Sequence, residues 1–336
     1  MRIVPNNINL IRNMTDLILN AQISEKAQGQ RLDQALASLF TDYSRSRLQI
    51  WIKKGKVTLN GEIVTKPREK VFGLEEVVLT VELEPEVSWQ AEDIDINIVY
   101  EDDDIIVVNK AAGMVVHPAA GNWDGTLVNA LLNHHAKLEH LPRAGIVHRL
   151  DKDTTGLMVV AKTLQAHAHL VNQLQLRKVN RQYLCLANGA ITAGSTVDQP
   201  IARHPVKRKL MAVVKSGKYA VTHYRVEQRF KNYTFLRVKL ETGRTHQIRV
   251  HMAWIKHSLV GDPVYGGRLG LPPKASDELI TMLRTFNRQA LHATELGLIH
   301  PKSLEAIQWQ ADIPEDMALL LQTLNNDASQ LMSTNK

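Results

Sequence analysis

A chain of 336 residues, with 44% hydrophobic and 22% charged side chains, is long enough for two domains with separate cores and too apolar for wholesale disorder. Its 41 Lys and Arg against 34 Asp and Glu leave a net charge of +7, which favours a polyanionic partner over an acidic one. The single cysteine, Cys185, excludes an internal disulfide or a thiolate metal cluster, and no apolar run is long enough to span a bilayer.

The opening segment MRIVPNNINLIRNMTDLILNAQ lacks the long apolar core and small-residue cleavage site of a signal peptide, so a cytoplasmic location is expected. Residues 1–28 read as an N-terminal extension in which Met14 offers an alternative start. From Gln30 to Phe40, Leu32, Ala35, Leu36 and Leu39 recur at helical spacing and predict a short amphipathic helix that breaks at Thr41-Asp42-Tyr43. A second helix is expected from an N-cap at Ser44 to Gly55, with Leu48, Trp51 and Ile52 on one face. KVTLNGEIV then predicts a hairpin turning at Asn60-Gly61. Between Tyr43 and Gly61 stand Arg45, Arg47, Lys53, Lys54 and Lys56 with no acid among them, which gives this unit a cationic face.

The acid-rich stretch from Glu82 to Asp104 reads as a linker leading into a strand, with a domain boundary near residue 88. Beyond it, runs such as VTHYRVEQRF and TFLRVKLET are separated by short turns and not by crossover helices, so the large domain is expected to be α+β around a mainly antiparallel, mixed sheet with flanking helices. A helix is predicted over Thr163 to Leu176, and Cys185 in YLCLA reads as a buried thiol. The segment VHRLDKDTTGLMVVAKT places Asp151 in a tight polar loop at the start of a buried strand. A loop aspartate by itself most often caps a turn. The tripeptide Arg-Leu-Asp also occurs at Arg31 to Asp33, where the aspartate falls inside the first helix and is assigned a structural or helix-charge role.

Walker, GxGxxG and HExxH signatures are absent, and the pairs His246/His251 and His167/His169 lack a third ligand nearby. No metal or other cofactor is expected.

Two resemblances sharpen this reading. From Arg31 to Gly61, RLDxALA followed by SRSRLQxWIKxGxVTLNG resembles the S4 RNA-binding domain, which implies that Arg45, Arg47, Lys53 and Lys54 meet folded RNA. HRLDxxTxGL around Asp151 resembles the catalytic motif of the pseudouridine synthase family whose members modify ribosomal and transfer RNA. Thr155 stands at that family's serine, and Ala111 replaces the usual proline in the segment from Asn109-Lys110 to Val116-His117-Pro118. Arg181-Gln182-Tyr183, LETGRTHQIRVHM from Leu240, GDPVYGG from Gly261 and Leu291-His292-Ala293 complete the pattern.

The resemblance implies an S4 domain over 29–86, a catalytic domain over 87–325 and a tail over 326–336. It implies cofactor-free isomerisation of uridine, with Asp151 as the carboxylate, Arg244 as the cation beside it and Tyr183 against the uracil. Arg149 is expected to fill the gap left by a flipped nucleotide, and Lys207, Arg208 and Lys209, followed by Lys215 and Lys218, to carry RNA backbone. A monomer is expected, with large-subunit ribosomal RNA as partner, free or within an assembling 50S subunit, and the stem-loop called helix 69 as target; another ribosomal or transfer RNA site, or RNA binding without turnover as an assembly factor, is the alternative.

Overall fold

The computed structural model describes residues 9–12, 16–40, 43, 45–82, 89–118 and 121–334, and the chain divides into two compact units, Met1–Ser88 and Trp89–Lys336. In the first, β1 (Asn9–Arg12), β2 (Asp16–Gln22), β3 (Val57–Leu59), β4 (Glu62–Ile63) and β5 (Glu76–Glu82) form one sheet in the order β1-β2-β5-β3-β4. Helices α1 (Leu32–Leu39) and α2 (Arg45–Lys53) contribute Leu32, Leu36, Leu48, Trp51 and Ile52 to a core closed by Val57 and Leu79. The expected hairpin is present, with Asn60 and Gly61 both at positive φ (48° and 85°), as a tight two-residue turn requires.

Ser44, Met14, Thr41 and Asp42 lie outside the described residues. The structure differs from the expected divisions at both ends. Residues 16–22, counted with an extension, pair with β5 along their whole length, because Leu19, Ala21 and Ile23 alternate into the core. Residues 326–334, counted as a tail, continue the last helix, α7 (Glu315–Thr334).

Asp33 is a structural anchor, fully buried on α1. It accepts Nε and Nη2 of both Arg31 and Arg45 at 2.9–3.0 Å, together with the Gln49 amide. Burial pushes its carboxyl upward, but the hydrogen bonds from Arg31, Gln49 and Arg45 outweigh that and hold it below the usual aspartate range. Arg45, expected to reach for RNA, spends Nε and Nη2 on Asp33 while its side chain remains 42% exposed. Arg47 lies over the Trp51 ring at 5.3 Å, and Lys53 and Lys54 are exposed.

The second unit carries β6 (Asn97–Glu101), β7 (Ile105–Lys110), β8 (Thr155–Ala161), β9 (Asn180–Asn188), β10 (Ser195–Asp198), β11 (Ile201–Arg203), β12 (Met211–Val213), β13 (Val221–Arg229), β14 (Tyr233–Leu240), β15 (Leu291–Ile299) and β16 (Ala306–Gln310). The main sheet runs β10-β13-β14-β9-β15-β8-β7-β6, with β16 also on β15, while β11 and β12 form a separate hairpin. Its pairs are antiparallel except β15 with β8, which makes the sheet mixed, as expected.

The central strands read as unbroken apolar runs because both faces are covered. On one face Ile106, Val108, Met158 and Val160 pack with α3 (Leu127–His134) and α5 (Gln247–Trp254). On the other, Ile105, Val107, Leu157 and Val159 meet Ala166 and Leu170 of α4 (Leu164–Gln175). A third cluster joins α6 (Asp277–Thr285) and α7 through Leu279, Leu283, Met317 and Leu320. Cys185 is buried on β9, where desolvation pushes its thiol up to about 12 and leaves it inert.

This topology aligns the site. Ala293 on β15 stands opposite Gly156 of β8 on one side and Tyr183 of β9 on the other, so the strand start after Asp151 and the tyrosine share one row. Gly156 has φ +115°, and a Cβ there would collide with the Ala293 backbone. Gly156→Ala is expected to cost about 2–4 kcal/mol, because it combines backbone strain with overpacking. Urea unfolding checks this, and a variant as stable as the parent would show that the close strand approach is not needed.

Candidate active site

Asp151 sits in the loop before β8, with its side chain 18% exposed. Four tethers fix that loop. Lys110, 2% exposed at the end of β7, donates its ammonium to the carbonyls of Ala111 (2.7 Å), Met114 (2.9 Å) and Lys152 (2.8 Å). Burial lowers its pKa to about 8 against the opposing charges of Asp153 and Asp151. Arg288 donates to the Asp153 carbonyl at 3.3 Å while Asp316 grips its guanidinium. The Gln289 amide donates to Thr154 Oγ1 (2.9 Å), and Thr155 Oγ1 lies 2.8 Å from His292 Nδ1. The hydroxyl of Thr155 at the motif's serine position is thus used to fasten the loop to β15.

The cation facing Asp151 is Arg249, not Arg244. Arg249 Nη1 donates to Asp151 Oδ2 at 2.9 Å, while its Nε and Nη2 take both oxygens of the fully buried Asp262 carboxylate at 2.7 and 2.8 Å. Asp262 is itself oriented by the Val264 and Tyr265 N–H groups (2.9 and 3.0 Å). Desolvation works against charge on both partners, yet their mutual hydrogen bonds and attraction prevail: the Arg249 pKa is raised and that of Asp262 lowered. The Tyr265 ring adds a cation–π contact at 5.1 Å. Arg244 belongs to the loop before α5, and its Nε donates to the Tyr219 carbonyl at 3.0 Å.

Both arginines stand in the same motif, from which the resemblance implies Arg244 while packing selects Arg249. The signal lay in their neighbours. Arg249 falls in the apolar run IRVHM in the first turn of a helix, where the dipole disfavours a cation. An arginine kept there needs carboxylate partners, and two are present, the buried Asp262 and the partly exposed Asp151.

His246, which the sequence singles out only as one of a histidine pair without a third metal ligand, is the N-cap of α5 in the left-handed conformation (φ 56°). Tyr265 accepts the Met211 N–H (3.0 Å), and its hydroxyl is hydrogen-bonded to His246 Nδ1 (2.8 Å). The other ring nitrogen, Nε2, faces Asp151 Oδ1 from 3.8 Å. Burial lowers the imidazole pKa and keeps it neutral. His251 bonds Thr222 and the Gln199 carbonyl and is likewise committed to the fold.

Asp151 opens on a cavity of about 600 Å³ lined also by Tyr183 and by Arg143, Arg149, Arg177, Arg181, Arg244 and Arg249, against Asp151 and Glu241 as its only acids. Tyr183 is 7% exposed, and burial raises its pKa. Arg149 is exposed and its side chain makes no hydrogen bond to the described residues. Lys207, Arg208 and Lys209 project from the tip of the β11–β12 hairpin, exposed and away from the cavity lining. The structure places Asp151, Tyr183, Arg149 and Arg244 along one cavity. The arginine bound to the aspartate is Arg249 and not the expected Arg244.

Removing Arg249 leaves two carboxylates facing each other across a desolvated gap. Arg249→Met is expected to lower unfolding free energy by about 3–5 kcal/mol, read by urea denaturation. Wild-type stability in that variant would contradict the bridging role.

Comparison with known proteins meets this geometry. Residues 104–254 match the family model described as RNA pseudouridylate synthase, and residues 30–72 match the S4 domain. The chain is 55% identical over 314 residues to "Ribosomal large subunit pseudouridine synthase D" of Vibrio parahaemolyticus, covering 94% of this chain and 97% of that one. It is 57% identical over 309 residues to the protein of the same name in Escherichia coli (strain K12), covering 92% and 95%. Among solved structures, human RNA Pseudouridylate Synthase Domain Containing 4 aligns with TM-score 0.54 and 25% identity over 68% of this chain and 93% of that chain. Human RNA Pseudouridylate Synthase Domain Containing 1 shares the fold, with TM-score 0.51, 23% identity and 70% and 96% coverage. On the site geometry, the two family matches and this near full-length identity, the chain belongs to the RNA pseudouridylate synthase family and carries an S4 domain ahead of its catalytic unit.

Proposed function

We propose that this enzyme converts uridines of large-subunit ribosomal RNA to pseudouridine, that its target is the helix 69 stem-loop, and that Asp151 performs the chemistry. The observation that carries the target class is identity of 55–57% along more than nine-tenths of both chains to relatives named for the ribosomal large subunit. The resemblance of the motif set directs the reading to helix 69, and a ribosomal RNA substrate fits action in the cytoplasm.

The reaction breaks N1–C1′, turns the uracil in place and forms C5–C1′. The C5 hydrogen leaves as a proton, N1 gains one, and no electrons enter or depart. The carboxylate of Asp151 acts at C1′ as nucleophile or at C2′ as base, and one position held by Arg249 serves either route. Tyr183 offers an apolar ring with a high-pKa hydroxyl, suited to pack on the uracil and to pass a proton at C5. A base in a stem-loop must be flipped out to enter the cavity, and the exposed Arg149 beside Asp151 is placed to occupy its vacancy.

The remaining cations serve the phosphodiester backbone. Lys207, Arg208 and Lys209 on the hairpin, and Arg47, Lys53 and Lys54 on the S4 unit, are the groups we assign to it. Phosphate contacts position RNA without reading its sequence, so these residues set affinity and its salt dependence.

Pseudouridine mapping on ribosomal RNA from cells lacking the protein tests the target. The helix 69 signals should vanish and return with the wild-type gene, while Asp151→Asn should restore none of them and bind RNA with about wild-type affinity. Signals persisting without the protein, or restored by Asp151→Asn, would refute this reading.

A further inference from the structure

Arg181 is a buried charge that the fold leaves unanswered. Four Lys and Arg side chains are buried among the described residues: Lys110, Arg181, Arg249 and Arg288. Three are satisfied, Lys110 by carbonyls, Arg249 by Asp262 and Asp151, and Arg288 by Asp316. Arg181 is 8% exposed, makes no hydrogen bond or ion pair with its side chain to any described residue, and has its Nε fully covered without a partner. A desolvated cation held this way is expensive unless a ligand completes it.

Its surroundings say where that ligand lies. Asn180 and Gln182 both turn to Glu295, so Arg181 and Tyr183 share the opposite face of β9, and both line the cavity with Asp151. His148 lines it too. Its Nε2 accepts the Val159 N–H at 3.1 Å, which leaves the proton on Nδ1, and Nδ1 is buried without a partner. Burial, with Arg181 nearby, lowers this imidazole to about 3 and keeps it a neutral donor. Gly243 makes space for the guanidinium, since a Cβ there would stand 2.7 Å from Arg181 Nη1.

We propose that Arg181, seconded by His148, donates to a carbonyl oxygen of the target uracil and stabilises the negative charge on the base when N1 leaves C1′. This rests on the reaction proposed above. The electron pair of the broken bond goes to N1 and spreads over O2 and O4, then returns to carbon as C5–C1′ forms. A fixed cation without an internal partner meets that charge with no reorganisation. Phosphate is the less suitable occupant: it stays near solvent, where the exposed Arg149 lies, whereas Arg181 is buried beside the tyrosine ring.

The test compares wild type, Arg181→Met and Arg181→Lys for single-turnover glycosidic-bond cleavage and for RNA affinity. The stem-loop carries uridine or 5-fluorouridine at the target, the fluorinated base being the more stable anion. Arg181→Met should cleave the uridine RNA about 10²–10³-fold more slowly with Kd within about threefold of wild type, and Arg181→Lys should recover part of the rate. The Met deficit should shrink by about tenfold or more on 5-fluorouridine, since a better leaving base needs less help. A loss in affinity with an unchanged rate, or an equal deficit on both bases, overturns the proposal. Should Arg181→Met fail to fold by its thermal midpoint, Arg181→Lys carries the same comparison of bases. Absence of cleavage by wild type itself would defeat the reaction assigned above, and this inference with it.

Discussion

The site depends on one guanidinium shared between two carboxylates. Arg249 gives two of its donors to Asp262 and a third to Asp151, so the Asp151 carboxylate is positioned by a group that is itself clamped. A lysine has no rigid fork with which to hold both. Placing this cation in the first turn of α5 opposes the helix dipole, and the two carboxylates answer that cost. Asp262 is in turn fixed by backbone N–H groups two and three residues on, so the geometry ends in main chain and not in another mobile side chain.

The rest of the unit serves to bring the Asp151 loop to this fork and keep it there. The shared register of β8, β15 and β9 sets Gly156, Ala293 and Tyr183 in one row, while Lys110 on β7 and Arg288, Gln289 and His292 around the start of β15 hold the loop from two segments of the chain. Rigid support of this kind is what positional catalysis needs, because small displacements of a reacting group are costly in rate. Against it stands a cavity rich in arginine, in which Arg249 is neutralised internally while the side chains of Arg181 and Arg149 make no hydrogen bond to the described residues.

Much of this was legible in the chain. Helical spacing located α1, α2 and α4, the Asn60-Gly61 pair located the hairpin, and the polar loop before GLMVVA located Asp151 at a strand start. Local pattern failed where a pairing is made across long distances. The partner of β2 is β5, some sixty residues on, so Asp16–Gln22 read as a loose extension. The partner of Asp151 is likewise remote, and of two arginines five residues apart only packing decides which one reaches it. Asp33 and Arg45 show the same limit: a basic side chain on a cationic face proved to be an internal partner of a buried acid.

The two Arg-Leu-Asp tripeptides end as a contrast in what surrounds an aspartate. Asp33 is wholly enclosed and fully saturated by two arginines and an amide, which fits it only for holding a fold together. Asp151 keeps an open edge on a cavity and a single strong ion pair. Asp262 tests the account most directly, since it is buried outside the cavity lining and touches Asp151 only through Arg249. Asp262→Asn keeps Oδ1 for the Val264 and Tyr265 N–H groups and removes the charge that clamps Arg249. If Arg249 is the positioning group, single-turnover pseudouridine formation by this variant falls by about a hundredfold at unchanged RNA affinity. A rate equal to that of wild type would contradict it.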